Sequence, residues 1–275
     1  LQKQFFKDNK IPTSDFILIE ADGDISSLGL PIVQKLRTGG YDGRGVQILK
    51  TSADILERGF SEACVLEKAI DIDKELGVIV ARNSLGKTSI FPVVESVFDP
   101  KVNLVSSLIA PANIDENTAA KAQALALQVL EAMDFEGLMA VELFLDSDGA
   151  LLVNEVAPRT HNSGHHTIEA NKTSQFAQHL RAVVGLPLGD VSLLHNAAGM
   201  INLLGASGAY GAPVYEGLSE ALSIPGVHPH LYEKSEVKPY RKMGHVTVTG
   251  SDLDLVQEIL LKLRESICVS GTKEK

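Results

Sequence analysis

Apolar residues fall along this chain in short runs broken by polar, Gly and Pro positions, and the spacing within each run predicts its element. Leu1–Asn9 reads as helix and stops at Ile11-Pro12. Runs at Phe16–Glu20, Pro31–Lys35, Val46–Leu49, Cys64–Ala69, Leu76–Ala81, Ile90–Phe98 and Gly199–Leu204 predict strands. Ala21–Gly29 is polar and predicts a turn or short helix, and Ala53–Gly59 a short helix. Thr118–Met133 is rich in Ala and other good helix formers, lacks Pro and Gly, and predicts a long helix. Ser174–Val184 predicts an amphipathic helix, with Phe176, Leu180, Val183 and Val184 on one face and Gly185 and Pro187 beyond its end. Asp252–Ser266 is the last predicted helix, followed by a polar tail, Gly271–Lys275. Strands and helices are mixed rather than strictly alternating, which predicts an α+β fold with antiparallel sheets.

Between the long helix and the amphipathic one lies the strongest local signal. Two apolar runs flank Asp148-Gly149, the pattern of a tight hairpin. With Asp148 and Gly149 as the two loop residues, Ser147 pairs with Ala150 and Glu142 stands opposite Glu155. Side chains so placed have Cβ atoms roughly 4.5–5.5 Å apart. Two carboxylates at that distance repel unless a cation lies between them, and Mg²⁺ is a hard cation held by one or two carboxylates plus substrate phosphates. A register one residue away would instead put the two on opposite faces.

Composition narrows the classes. A chain of 275 residues holds one large or two ordinary domains. Its apolar fraction is 44% and no apolar run is long enough to span a membrane, which argues against a membrane role. The formal charge of −10 argues against general nucleic-acid binding. Two cysteines, Cys64 and Cys268, make neither a disulfide framework nor a zinc site and point to a reducing, cytoplasmic compartment. The first residue is Leu1, and the opening reads as the middle of a helix, so we expect an N-terminal part to precede it.

An acidic protein for anionic ligands must concentrate its positive charge locally. Residues 35–45, KLRTGGYDGRG, hold four glycines, two arginines and a lysine between predicted strands. Glycines let backbone N–H groups approach an anion closely, and Lys35 can reach phosphate oxygens. The loop lacks the Gly-Lys-Ser/Thr of a Walker motif. It reads as a flap on a hairpin or, equally, as a solvated turn. Glu67, Lys68, Ala69 and Ile70, followed by Asp71, Asp73 and Glu75, could line a nucleotide site or an acidic surface loop. A second basic island, Lys238-Pro239-Tyr240-Arg241-Lys242, has the charge to hold a phosphate, though a solvated turn looks the same.

Residues 154–165, NEVAPRTHNSGH, pack many polar groups directly after an apolar strand. Together with the flap, Lys35, Glu67, Glu75 and the Glu142/Glu155 pair, this segment resembles the ATP-grasp superfamily. Residues 37–45, 154–169, 174–189 and 238–245 are similar to its 5-(carboxyamino)imidazole ribonucleotide synthases, the ATPase subunits of phosphoribosylaminoimidazole carboxylase. The likeness covers nearly the whole chain. The chain departs from the family pattern at Thr160, where the family has Pro.

The resemblance implies an ATP-grasp fold of two α+β subdomains gripping ATP, a small subdomain at 1–75 and a large one at 76–190. It adds a small β-rich C-terminal lobe at 191–275 and an N-terminal α/β domain ahead of residue 1. It implies ATP-dependent carboxylation of aminoimidazole ribonucleotide with bicarbonate, with ATP and Mg²⁺ as cofactors. Lys35 would touch the α- and β-phosphates. Gly40, Tyr41, Asp42, Gly43, Arg44, Gly45 and Val46 would close over the triphosphate. Glu67, Lys68, Ala69, Ile70 and Glu75 would hold adenine and ribose. Glu142 and Glu155 would bind Mg²⁺, with Asn154 nearby, and Arg159 would take bicarbonate or the carboxyphosphate oxyanion. Arg159, Lys35 and Glu155 are the implied catalytic residues. Tyr41, Asp42, Arg44, His161 and Asn162 would contact the imidazole ribonucleotide, and Lys238, Arg241 and Lys242 its 5′-phosphate. For His161, His165 and His166 a structural role is the competing reading. The family further implies a homodimer and a fused or separate mutase/carboxylase partner. The competing functions are another ATP-grasp carboxylase or ligase and an inactive nucleotide-binding fragment.

Overall fold

A computed structural model of the protein describes residues 2–39, 45–99 and 104–274. The chain forms two compact units. The first comprises residues 1–75, 99–104 and 143–155, and the second 76–98, 105–142 and 156–275.

The first unit opens with α1 (Gln2–Asp8), which buries Lys3 and Phe6, neighbours one turn apart. Four strands follow: β1 (Phe16–Ile19), β2 (Ile32–Leu36), β3 (Val46–Leu49) and β4 (Cys64–Lys68). They form an antiparallel sheet in the order β1-β4-β2-β3. The period of two along each strand sorts their side chains. One face carries Ile32, Leu49, Cys64 and Leu66, packed with Ile17, Ile19, Leu28 and Ile55. Full burial of each such aliphatic side chain contributes about 1.5–3 kcal/mol. The last of these residues lies on α2 (Ser52–Arg58), which starts in a capping box made by Thr51 and Asp54. On the opposite face Val33 pairs with Glu67 and Lys35 with Val65. Lys35 and Glu67 are therefore diagonal neighbours, within reach of two long side chains.

The remaining strands are β5 (Ile72–Arg82), β6 (Thr88–Ile90), β7 (Val94–Asp99), β8 (Leu104–Ala110), β9 (Gly137–Asp146), β10 (Leu151–Ala157), β11 (Ala197–Leu204), β12 (Ala209–Glu216), β13 (Val227–Leu231), β14 (Lys242–Gly250) and β15 (Cys268–Glu274). The helices among them are α3 (Glu116–Ala132), α4 (Thr167–Ala170), α5 (Gln175–Val183), α6 (Leu218–Leu222) and α7 (Leu253–Ser266). In the second unit the sheet runs β9-β5-β7-β8-β11-β14-β13, with β6 on β5, and β12 pairs with β15 separately. Val256, Leu260 and Leu263 of α7 pack into a core with Ile109, Ile201, Val246 and Val248. Gly199 allows that close approach, because a Cβ there would lie 2.4 Å from Leu260 Cδ1.

The mixed α+β organisation matches the expectation, and four local expectations change. The run Ile90–Phe98 is two strands, β6 and β7, split around Pro92, which has no N–H to give a ladder. Strand β5 begins at Ile72, ahead of the apolar run that predicts it. The polar tail is not free: β15 extends into it and pairs with β12, with Pro213 opposite Gly271 and Tyr210 opposite Lys273. Ladder bonds use backbone groups, so a polar sequence does not forbid them. Finally, α5 is turned over. Phe176, Leu180, Val183 and Val184 are exposed, while Gln175, Gln178 and Ala182 are buried. Gln178 bonds both the N–H and the carbonyl of Gly189, so satisfied polar groups, not the apolar stripe, set which side faces inward.

Candidate functional site

The β9–β10 hairpin forms where expected, with a different loop. Asp146 N–H donates to the Ala150 carbonyl at 3.0 Å and Gly149 N–H to the Asp146 carbonyl at 3.0 Å. Gly149 sits at φ 82°. This is a three-residue loop, Ser147-Asp148-Gly149, with a left-handed glycine. Asp146, not Ser147, faces Ala150, so the count that sets Glu142 opposite Glu155 is off by one residue. The Asp146 carboxylate causes the change: it accepts from the N–H groups of Asp148 and Ala150 at 3.1 and 2.7 Å, stabilising the longer turn.

In the first unit the diagonal pair on the sheet becomes a buried ionic cluster. Glu67, 3% exposed, accepts from Lys3 Nζ at 3.0 Å, Lys35 Nζ at 2.9 Å and Ser14 Oγ at 2.7 Å. Burial would raise its carboxyl, but the charges of Lys35 and Lys3 and the Ser14 hydroxyl outweigh it and hold the group below its ordinary value. Burial lowers Lys3 to about 8, against the pull of Glu67. Lys3 also donates to Thr13 Oγ1 at 2.7 Å and to the Val153 carbonyl at 3.4 Å. Lys35 donates to Asn154 Oδ1 at 2.9 Å. Its ammonium has three hydrogens, and Glu67 and Asn154 take two. Glu75 lies nearby, pushed up to about 7 by burial against the opposing charge of Lys35.

Lys35, Glu67, Asn154 and Glu75 thus share one neighbourhood. The carboxylate of Glu67 is engaged by its cations rather than open to an adenine or ribose. Lys68 N–H is taken by the Asp15 carbonyl at 2.9 Å and Ala69 N–H by the Pro31 carbonyl at 3.2 Å, so neither donates to a base. Gly45 and Val46 border β3, whereas Gly40, Tyr41, Asp42, Gly43 and Arg44 lie outside the described residues. Lys3 and Ser14 are absent from the residues that the sequence singles out. The available signal is a lysine on the inward stripe of a helix, in register with Phe6.

In the second unit, residues 159–161 follow β10 without regular structure and Asn162–Gly164 form a short 3₁₀ helix capped by His161. Arg159 is exposed and its Nη1 donates to the Thr160 carbonyl at 2.9 Å. His161 Nδ1 accepts from Ser163 N–H at 3.3 Å, and its Nε2 lies 3.4 Å from Glu142 Oε1. Asn162 Oδ1 is buried without a hydrogen-bond partner among the described residues. Behind this segment three imidazoles stack: His245 lies 4.9 Å from His165 and 4.5 Å from His230 between ring centroids. The Tyr232 hydroxyl meets His245 Nδ1 at 2.9 Å, and Glu169 Oε1 meets His230 Nε2 at 2.7 Å. Burial holds His165 and His166 down at about 4 and His245 at about 3, so these rings are neutral near pH 7. A structural role fits His166 and His165 on these contacts.

The basic island forms an exposed corner. Lys238 pairs with Glu236 at 3.2 Å, and Arg241 Nη1 donates to the Glu236 carbonyl at 2.7 Å. Tyr240 N–H bonds the Gly205 carbonyl at 2.8 Å and Gly205 N–H the Arg241 carbonyl at 2.9 Å, which fixes the turn. Lys242 begins β14. Lys234, a cation outside the island as read from sequence, donates to the Lys242 carbonyl and lies 5.4 Å from the Tyr232 ring centroid.

No group of three His, Cys, Asp or Glu side chains among the described residues could hold a metal. The donors expected for Mg²⁺, Glu142 and Glu155, are hard carboxylate oxygens. The register that would set them face to face does not form, so the pair suits Mg²⁺ by the chemistry of its oxygens alone, with the remaining ligands coming from phosphates and water. No helix among the described residues is long and apolar enough to cross a membrane.

Comparison with known proteins identifies the family. The ATP-grasp domain family matches residues 4–176, and the phosphoribosylaminoimidazole carboxylase C-terminal domain family matches residues 198–259. A chloroplastic phosphoribosylaminoimidazole carboxylase from Vigna aconitifolia is 42% identical over 246 residues, covering 87% of this chain and 44% of that protein. The chain spans about half the length of the curated relatives it matches. The N5-carboxyaminoimidazole ribonucleotide synthetase structure from Thermotoga maritima superimposes with a TM-score of 0.88 at 44% identity, over 98% of this chain and 71% of that one. The synthase from Aspergillus clavatus in complex with ADP and 5-aminoimidazole ribonucleotide gives a TM-score of 0.84 at 30% identity, over 96% and 72%. On its sequence and its fold, this chain belongs to the N5-carboxyaminoimidazole ribonucleotide synthases of the ATP-grasp family.

Proposed function

We propose that the chain carries out ATP-dependent carboxylation of 5-aminoimidazole ribonucleotide with bicarbonate, releasing ADP and phosphate. The observation that carries this reading is Lys35. Its ammonium is partly buried on the sheet, held by Glu67 and Asn154, and keeps one hydrogen for a phosphate oxygen. Lys3 and Lys35 both contact the Glu67 carboxylate, and the donor that Lys35 keeps suits an anionic phosphate oxygen.

Bicarbonate is a poor electrophile because it lacks a good leaving group. A bicarbonate oxygen attacks the γ-phosphorus, the bond to the β–γ bridging oxygen breaks, and ADP leaves. The carboxyphosphate so formed is attacked at carbon by the amine of the ribonucleotide, directly or as released CO₂. The new C–N bond forms, phosphate departs and the nitrogen loses a proton. The protein's part is positioning and neutralising charge. Lys35 holds the α- and β-phosphates. Arg159 offers a planar fork to bicarbonate and to the carboxyphosphate oxyanion. Glu142 and Glu155 are the proposed Mg²⁺ ligands, and the ion, when bound, neutralises phosphate charge. Residues 40–46 are assigned to the triphosphate, residues 68–70 and Glu75 to adenine and ribose with Glu67 acting through Lys35, and Tyr41, Asp42, Arg44, His161 and Asn162 to the imidazole ribonucleotide. Lys238, Arg241 and Lys242 hold its 5′-phosphate. A homodimer in the cytoplasm, with a fused or separate mutase, completes the proposal. The length of the Vigna aconitifolia relative, of which this chain covers 44%, supports the fused form.

The test is ADP release by the chain with Mg²⁺ and ATP, omitting bicarbonate or the ribonucleotide in turn. The reading predicts release only with both present. Release indifferent to either omission contradicts it, and tight ATP binding without turnover under any condition supports a nucleotide-binding module instead.

A further inference from the structure

We propose that Gln175 is a positioning residue for the segment bearing Arg159, His161 and Asn162, clamping the backbone of His161 from both sides and holding the His165 ring with its remaining hydrogen. Gln175 is the first residue of α5 and its side chain is fully buried. Its Oε1 accepts from His161 N–H at 2.9 Å, its Nε2 donates to the His161 carbonyl at 2.8 Å, and Nε2 lies 3.0 Å from His165 Nδ1. The orientation of the amide is fixed by chemistry. A backbone N–H can only donate and a carbonyl can only accept, so oxygen faces the first and nitrogen the second. The second amide hydrogen then points at His165 Nδ1, which must accept, leaving that ring's proton on Nε2.

This arrangement adds to what the local backbone supplies, the Gly164 N–H donated to the His161 carbonyl at 3.0 Å. Residues 160 and 161 belong to no strand or helix, and buried main-chain groups need partners. The Gln175 carboxamide gives His161 the paired donor and acceptor that a neighbouring strand would. The clamp is itself braced. Gln175 N–H donates to Thr167 Oγ1 at 2.8 Å, and Thr167 Oγ1 donates to the Gly164 carbonyl at 2.6 Å. A Cβ on Gly164 would lie 2.5 Å from Gln175 Oε1 and 2.2 Å from Ile79 Cδ1, so glycine there is a condition of the clamp. One buried amide on a rigid helix therefore sets the path of the loop that carries the proposed bicarbonate and ribonucleotide contacts. The catalytic consequence rests on the proposed function, whereas the clamp itself does not.

The experiment uses the full chain with two substitutions, Gln175→Met, which keeps length and removes all three contacts, and Gln175→Glu, which keeps only the acceptor for His161 N–H. Hydrogen exchange at the His161 amide and ¹⁵N shifts of the His165 ring are read by NMR, and kcat and KM for ATP by ADP release. The wild type is expected to show a slowly exchanging His161 amide and a His165 ring protonated on Nε2. In Q175M the His161 amide should exchange at least about 10-fold faster, with α3 amides unchanged. Its kcat should fall about 10–100-fold, with KM for ATP near that of the wild type. Q175E should retain His161 protection and lose the His165 signature. A wild-type His165 protonated on Nδ1, or unchanged His161 exchange in Q175M, overturns the clamp. Faster exchange with unchanged kcat overturns its positioning role. Should Q175M fail to fold, the wild-type and Q175E spectra decide. Absence of turnover in the wild type would count against the proposed function, and the clamp would then be judged on the NMR readouts alone.

Discussion

Glu67 in the first unit and His245 in the second are both polar, both on sheet strands and both 3% exposed, yet they are accommodated by opposite means. Glu67 is buried as an ion and matched by two ammonium groups and a hydroxyl. His245 is buried as a neutral ring between two other imidazoles, with a tyrosine hydroxyl on its Nδ1. The difference follows from what each region must present. In the ionic cluster Lys35 meets Glu67 and Asn154 and keeps a third ammonium hydrogen, the one assigned to phosphate in the proposed function. The neutral rings of His165 and His245 add no charge and instead pack behind the loop that begins at Arg159. Buried polarity is ionic in the first unit and neutral at His245 in the second.

The largest effect that can break this contrast is removal of the buried anion. Glu67→Gln removes the carboxylate that Lys3 and Lys35 both contact directly, and loss of one partner of a buried pair costs about 3–5 kcal/mol. Urea unfolding, followed by a probe in the first unit, should show it. A loss below about 1 kcal/mol would place the pair among exposed ones.

Acid should act next most strongly, and on the second unit. His165, His166 and His245 have folded values of about 4, 4 and 3 against an ordinary 6.5. The unfolded state binds more protons in that window, so their contribution is whole above pH 6.5 and is lost as pH falls toward 4. The loss by pH 5 is on the order of a few kcal/mol, since each tenfold change in proton affinity between the folded and unfolded chain is worth about 1.4 kcal/mol. Glu75 has the opposite sign. Its value is raised to about 7 from an ordinary 4.5, so its contribution is present below 4.5 and is lost as pH rises through 7. Hydrogen exchange at pH 7 and pH 5 should therefore show protection falling selectively in the second unit. Equal loss in both units would erase the distinction.

A smaller effect is expected at Gly164→Ala, where the added methyl overlaps Gln175 and Ile79; overpacking of this kind costs about 1–3 kcal/mol. The smallest is Leu180→Lys. Because α5 turns its apolar side outward, this change should alter stability by no more than about 0.5 kcal/mol. A large loss would mean that the apolar stripe, and not the glutamines, faces the interior.

Much of this is legible in the sequence, and the failures share a cause. Helices α3 and α7 are readable because composition and caps agree, and Asp148-Gly149 marks the hairpin correctly. Its register is missed because the Asp146 side chain, not the backbone, selects a three-residue loop. Lys35 is readable from its place between a strand and a glycine loop. The partner of Lys35 is not, because Glu67 reaches it across the sheet and Lys3 joins from a distant helix. Helix α5 reads with the wrong face inward, since a hydrophobic pattern carries no record of the hydrogen bonds that Gln175 and Gln178 find in the folded chain. Local signals survive folding, and long-range polar pairing has to be seen.

The most direct measurement of the central claim is calorimetric titration of ATP and Mg²⁺ into the wild type and Lys35→Met. If Lys35 is the cation that the ionic cluster holds ready for phosphate, the substitution should weaken binding by about 10-fold or more, the equivalent of about 1.4 kcal/mol, while the chain stays folded. Unchanged affinity in a folded Lys35→Met protein would show that the cluster is structural and that the phosphates are bound elsewhere.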